Sequence, residues 1–269
     1  MDPKPFAQRL HGLRNYQSDD FWAMVFARPM TILLLLPLAD RPGVTPDRIT
    51  LASGVLKLLG MVMLVLLPGY SAGVAAAVLI NLGLVADNMD GTLARYRRGG
   101  TYYGYFVDKA LDFCGLALLF LAMGLRAHHK YGTVESLLLP TMGFMGAAVA
   151  AYTKWVCNKV LDDISLKKAA LAGQTEGYVA KRIAPYYGVE PPTRNLGDWV
   201  RFFWQAVKSI KNFNEVDVYF FLALALVLGR EWVFTGVMAG VYALGLVAAP
   251  LSFYAKIRKA EQDLRNLQG

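Results

Sequence analysis

Four carboxylates embedded in apolar sequence constrain this chain more than anything else in it. The stretch from Asp87 to Asp112 reads DNMDGTLARYRRGGTYYGYFVDKALD, with long apolar runs on either side. Asp87 and Asp90 are spaced i and i+3, and Asp108 and Asp112 i and i+4, so each pair shares one face of a helix. Between them, Arg97, Arg98, Gly99 and Gly100 supply charge and helix breakers, which predicts a hairpin turning the chain back on itself. Such a hairpin gathers the two pairs into one cluster of formal charge −4. Unpaired carboxylates in a membrane cost several kcal/mol, so the cluster calls for bound cations. All the donors are oxygens and no Cys or His lies within the stretch, which favours Mg²⁺ or Mn²⁺, with Ca²⁺ also admitted.

Whether this is a membrane setting is decided by how the apolar residues are distributed. A chain of 269 residues with 55% hydrophobic content could be a large soluble domain or a small membrane protein. The runs Leu51–Leu67, Ala72–Ala86 and Gly115–Leu125 extend into longer segments with few charges, long enough to span hydrocarbon. The net charge of +8 then fits basic cytoplasmic loops facing anionic lipid. No aromatic-basic motif for nucleic acid is present, and none is expected as a partner. Cys114 and Cys157 fall in apolar segments and are expected to be free, packed thiols. The N-terminus is polar, carries Arg9 and Arg14, and shows no cleavable signal pattern.

These patterns predict an all-α integral membrane protein with six transmembrane helices plus an N-terminal interfacial amphipathic helix. Residues 1–42 are read as a cytoplasmic N-terminus, loosely ordered to Asn15, followed by an interfacial helix over Asp19–Ala39 with Ser18 as its cap. The catalytic domain is placed at 43–260. Its first span starts at Thr45-Pro46, with Thr45 as N-cap, and ends before Pro68-Gly69. Further spans are expected at about Ala72–Arg98, Tyr102–Ala127, Val134–Val160, Val216–Leu228 and from Trp232 past Tyr254. A long cytoplasmic loop is expected at about 161–212. Within it Trp199, Phe203, Val207 and Ile210 mark a second interfacial helix. Residues 261–269 form a cytoplasmic tail. Arg95, Arg97, Arg98, Lys154, Lys159, Lys256, Arg258 and Lys259 fall on one side, against Arg126, Lys130 and Arg230 on the other. The positive-inside rule therefore puts both termini and the Asp cluster at the cytoplasmic face. His128-His129-Lys130 reads as an ordinary polar turn on the outer side.

Written as a pattern, the acidic stretch is D-x2-D-G-x2-A-R-x8-G-x3-D-x3-D, with Gly91, Ala94, Arg95 and Gly104 as its non-acidic members. This resembles the signature of the CDP-alcohol phosphatidyltransferases (CDP-alcohol phosphotransferases), class I, integral-membrane enzymes of phospholipid synthesis. All eight specified positions are filled. The VTPDRIT segment at the first span is similar to the start of that family's first transmembrane helix. The family usually joins the fourth and fifth spans by a shorter loop. The resemblance implies two Mg²⁺ or Mn²⁺ ions held by Asp87, Asp90, Asp108 and Asp112, with Asp112 also the proton acceptor. It implies nucleotide contacts at Gly91 and Arg95, with Thr101 and Gly104 lining the same pocket and Asp47 and Thr50 contributing from the first span. It further implies a CDP-linked lipid donor, a small alcohol acceptor, surrounding membrane lipids and a homodimer.

The expected reaction is transfer of a phosphatidyl group from a CDP-activated lipid to a polar alcohol or alcohol phosphate, with release of CMP. Lys154 is the basic residue that could meet an acidic acceptor. Donation of a CDP-activated small alcohol to a diacylglycerol-type acceptor uses the same motif and is the alternative within the family. A divalent-cation transporter is the rival from another class, because intramembrane carboxylates also mark ion paths. Transport would need polar residues continuing to the outer side, where the second and third spans are apolar.

Overall fold

The computed structural model describes residues 5–14, 21–97, 99, 102–177 and 215–267, together with positions 197, 200, 201, 204 and 208. The described elements are all helical. In chain order they are α1 (Phe6–Arg14), a π-helical turn at Ala23–Ala27 running into α2 (Arg28–Leu35), α3 (Pro46–Leu66) and α4 (Tyr70–Tyr96). Then come α5 (Tyr102–Tyr131), α6 (Glu135–Leu171), α7 (Glu215–Val227) and α8 (Glu231–Arg265). Five of them, α3, α4, α5, α6 and α8, are long and apolar enough to cross a membrane. The remaining expected span, Val216–Leu228, is present as α7, a helix of 13 residues.

Helix α3 shows why the bundle suits lipid. It exposes Leu51, Val55, Leu58, Leu59, Val62 and Leu66 while burying Ser53, Lys57, Gly60, Met61 and Leu64. Every large side chain it exposes there is apolar, while Ser53, Lys57 and Gly60 face in beside Met61 and Leu64. The small residues permit close approach to α4. A Cβ at Gly60 would meet Ile80 Cγ1 at 2.5 Å, and one at Gly83 would meet Lys57 Cγ at 2.6 Å. Ser53 Oγ donates to Gly83 O across this contact at 2.9 Å. Thr45 caps the start of α3, its hydroxyl accepting from Arg48 N, and Pro46 follows at the first helical position.

The core lies where α3, α4, α5, α7 and α8 meet. Phe120 is its centre, with ring centroids of Phe234, Tyr242 and Phe144 at 5.5, 6.0 and 6.3 Å. Aromatic pairs at this spacing add about 0.5–1.5 kcal/mol each beyond the contact area. Helices α6 and α8 pack along each other, and Gly146 admits the Tyr242 backbone, whose carbonyl oxygen would lie 2.6 Å from an added Cβ.

The N-terminal region differs from the sequence expectation. Residues Phe6–Arg14, expected to be loosely ordered, form α1, with Leu13 buried and Arg9 Nη1 donating to Leu36 O at 2.8 Å. The expected interfacial helix is packed along one stripe: Ala23, Ala27, Thr31 and Leu35 are buried. Trp22 Nε1 donates to Asn81 Oδ1 at 2.8 Å, and Trp22 N to Asp217 Oδ1 at 3.1 Å. Those bonds tie its start to α4 and α7, while Leu33 and Leu34 stay exposed on the other side. The proposed cap Ser18 lies outside the described residues.

Two more departures are at the other end of the chain. Helix α6 continues to Leu171, into the segment read as a loop, and α8 continues to Arg265, into the segment read as a tail. Lys168 Nζ and Asp263 Oδ2 pair at 3.5 Å between these extensions. Trp199, Phe203, Val207 and Ile210 lie outside the described residues. Of the two thiols, Cys157 is buried as expected, but Cys114 is exposed, on the outward face of α5.

Candidate metal centre

The carboxylates are carried by two helices that meet at the end of the bundle where α3 and α7 begin. Asp87 and Asp90 lie in the last three turns of α4, and Asp108 and Asp112 in the first three of α5. The hairpin between them is closed by Arg97. Its guanidinium donates to Ala39 O at 2.8 and 3.0 Å, to Arg41 O at 2.8 Å and to Val44 O at 2.6 Å. Arg97 therefore fastens the chain leading into α3 onto the end of α4. Arg98, Gly100 and Thr101 lie outside the described residues.

Asp87, Asp90 and Asp108 each offer an oxygen, and these atoms lie within 4.8 Å of one another. Three carboxylates at that spacing fit a hard divalent ion bound through oxygen. Asp90 is buried and held on both oxygens: Thr50 Oγ1 donates to Oδ2, and the Gly91 amide to Oδ1. Thr50 thus belongs to the site, one helix across from the acids. Asp112 stands apart from the three. Its Oδ2 lies 2.9 Å from Lys109 Nζ and its Oδ1 3.7 Å from Lys57 Nζ.

The other expected residues divide. A Cβ at Gly91 would meet Arg95 Nη1 at 3.3 Å, so glycine keeps the guanidinium close to the α4 backbone there. Arg95 Nη2 donates to Thr92 Oγ1 at 3.4 Å. Gly104 lies in the first turn of α5. Asp47 is exposed in the first turn of α3, and Lys154 is exposed on α6.

Four residues were missed by the sequence reading. Lys57 is 7% exposed, its Nζ 3.2 Å from Asp87 Oδ1. Its place two turns beyond Thr50 puts both on one face of α3. A lone lysine in an otherwise apolar span is itself a functional signal. Lys109, half-exposed, also pairs with Asp108 Oδ2 at 3.1 Å. Tyr219 presents its buried ring 5.7 Å from Lys57 Nζ, and Glu215, one turn earlier on α7, lies close to Asp112, Lys109 and Lys57. Nothing local marks the α7 residues, which reach the cluster from more than 100 positions away.

At the opposite end, Arg126 and Glu231 form a second polar centre. Arg126 Nε donates to Glu231 Oε1 at 3.1 Å, and its Nη atoms to the carbonyls of Leu67 at 2.9 Å and Gly69 at 3.0 Å. Lys130 Nζ donates to Glu231 Oε2 at 2.7 Å and to Gly229 O at 2.6 Å. The His-His-Lys segment is thus the last turn of α5 rather than a free turn, closed by Gly132 at φ +69°.

Comparison with known proteins agrees with this geometry. Residues 43–183 match the sequence model of the family described as CDP-alcohol phosphatidyltransferase. The inner membrane protein YnjF of Escherichia coli K12 is 33% identical over 141 residues, 51% of this chain and 66% of that protein. A phosphatidylinositol phosphate synthase of Corynebacterium glutamicum is 30% identical over 133 residues, 49% of this chain and 57% of the relative. One from Mycolicibacterium smegmatis is 33% identical over 85 residues, 32% and 37% of the two chains. In each case the match covers less than two thirds of the relative's own length. The family match takes in α3, α4, α5 and α6, hence all four aspartates, and on that footing the chain belongs to the CDP-alcohol phosphatidyltransferase family.

Proposed function

We propose that this chain is a divalent-metal-dependent transferase. It moves a phosphatidyl group from a CDP-activated lipid, such as CDP-diacylglycerol, to a polar alcohol or alcohol phosphate and releases CMP. The observation that carries this reading is the convergence of Asp87, Asp90 and Asp108 within 4.8 Å at one end of a bundle of apolar helices. Two relatives bear the name phosphatidylinositol phosphate synthase, which favours phosphatidyl as the group transferred.

Asp87, Asp90 and Asp108 would hold Mg²⁺ or Mn²⁺, and Asp112 would complete a second position beside them. A metal bound there would polarise the donor's pyrophosphate and offset charge on the departing CMP. The acceptor's hydroxyl oxygen bonds the phosphorus that carries the lipid, the bond to the CMP phosphate oxygen breaks, and Asp112 takes the hydroxyl proton. Arg95 offers a fork of donors to a donor phosphate, and Gly91 leaves room for it to approach. Gly104 and Asp47 border the same pocket, and Thr50 orients Asp90.

The site faces the cytoplasm of a multi-pass inner-membrane protein, and α7 serves as the fifth of six spans. Its support is that Glu215 lies near the aspartates while Val227 O accepts from Tyr70 OH at the opposite end. The exposed edge of Leu33 and Leu34 rests in the inner leaflet, and the chain works as a homodimer. Cysteines placed at Lys259 and His129 are expected to label from opposite sides of the membrane; labelling from the same side removes the six-span topology.

The activity test is direct. Purified protein is given CDP-diacylglycerol, Mg²⁺ and a panel of alcohols and alcohol phosphates, and CMP is measured. Acceptor-dependent release, lost in Asp87→Asn, is the expected result. Release only from CDP-linked small alcohols with diacylglycerol would reverse the direction of transfer, and none from any donor would sink the reading.

A further inference from the structure

A buried ammonium stands inside the carboxylate cluster. Lys57 Nζ lies 3.2 Å from Asp87 Oδ1 and 3.7 Å from Asp112 Oδ1, with the Tyr219 ring 5.7 Å away. The lysine stem runs against α4, where a Cβ at Gly83 would come within 2.6 Å of Lys57 Cγ. Helices α4 and α7 therefore enclose it from two sides. Lys109, on the exposed side, holds the other oxygen of Asp112 at 2.9 Å. The four aspartates are thus treated unequally. Three bring oxygens within 4.8 Å of one another, and the fourth has an ammonium at each oxygen.

We infer that Lys57 is a resident cation that sets how many ions the cluster takes. It fills the place between Asp87 and Asp112 and limits the donor-free protein to one divalent ion, at Asp87, Asp90 and Asp108. Charge supports this. Four aspartates against Lys57 and Lys109 leave a formal −2, which one divalent ion cancels, and Glu215 adds at most one more negative charge. A second ion would enter a cluster already near neutral, beside a buried ammonium that repels it. Arrival of a pyrophosphate restores the negative charge, so the second ion binds together with the donor. Lys57 acts here as a positioning residue for metal. The inference rests on the transferase reading only for the identity of the anionic donor.

The test is Mn²⁺ binding to protein stripped of metal in detergent, read from the signal of free Mn²⁺, with and without CDP. Wild type is expected to bind one ion alone and a second with CDP. Lys57→Met is expected to bind two ions without CDP, or one at least about tenfold more tightly; Lys57→Arg should keep the wild-type stoichiometry. Two ions on wild type without CDP, or a Lys57→Met titration superimposable on wild type, would overturn the inference. If Lys57→Met folds only in metal, its thermal midpoint should rise with Mn²⁺ more steeply than that of wild type, and equal rises count against it. Failure here with CMP release intact removes Lys57's role alone. One-ion binding without CMP release from any CDP-linked donor removes the transferase reading and leaves Lys57's role standing.

Discussion

The two ends of the bundle hold similar groups in opposite states. At one end Glu231 and Arg126, 2% and 5% exposed, pair with each other, Lys130 donates to the second Glu231 oxygen, and backbone carbonyls accept from the remaining Arg126 donors. At the other, Asp90 and Lys57 are about as deeply buried, yet the aspartates outnumber the ammoniums two to one. Burial alone therefore does not identify a reactive site. What separates the ends is whether the carboxylates are matched: Glu231 has a cation at each oxygen, whereas the aspartates exceed the cations beside them.

The largest expected difference between them follows metal removal. EDTA should bring CMP release to background and Mg²⁺ or Mn²⁺ should restore it, while helical content by circular dichroism holds, because the Arg126 end needs no ion. Turnover in excess chelator would erase the distinction. Next in size is Arg126→Met, which leaves the buried Glu231 to Lys130 and Tyr131 alone and should cost about 3 kcal/mol of stability by thermal unfolding in detergent. Asp112→Asn should slow transfer by about 10²-fold or more, a barrier of about 2.7 kcal/mol. In EDTA its thermal midpoint should rise, because it removes one of the excess carboxylates; Glu231→Gln, at the matched end, should lower it. A drop in both variants would mean that the aspartate end is as well matched as the other. The smallest effect belongs to Lys109→Gln. This half-exposed pair should change stability by about 1 kcal/mol or less, measured on the same unfolding curves.

What the sequence made legible was local. The helix spans, the Thr45 cap and the pairing of Asp87 with Asp90 and of Asp108 with Asp112 all follow from spacings within a few turns. The spacing also foretold that two helices would share the acids. It did not separate Asp112 from the other three, because that depends on Lys57 of α3 and Lys109 beside it. Lys57 was the signal overlooked: a charge at the centre of an apolar span. Glu215, Tyr219 and the Arg126–Glu231 pair were beyond local reasoning, since each partner lies more than 100 residues from the other. The continuations of α6 and α8 were hidden for another reason. Beyond Val160 and Tyr254 their sequences turn polar, which reads as loop or tail until Lys168 and Asp263 are seen to pair.

Helix α3 is clamped like a beam at both supports. Arg97 grips the carbonyls of Ala39, Arg41 and Val44 just before it, and Arg126 grips those of Leu64, Leu67 and Gly69 where it ends. A helix fastened this way has no axial play. Sliding by one turn, about 5.4 Å, would break both grips at once. The register of Thr50 against Asp90 and of Lys57 against Asp87 is thereby fixed by two arginines that touch neither aspartate. A substitution at Arg126, a bundle's length from the acids, thus reaches them as a mechanical load carried along α3.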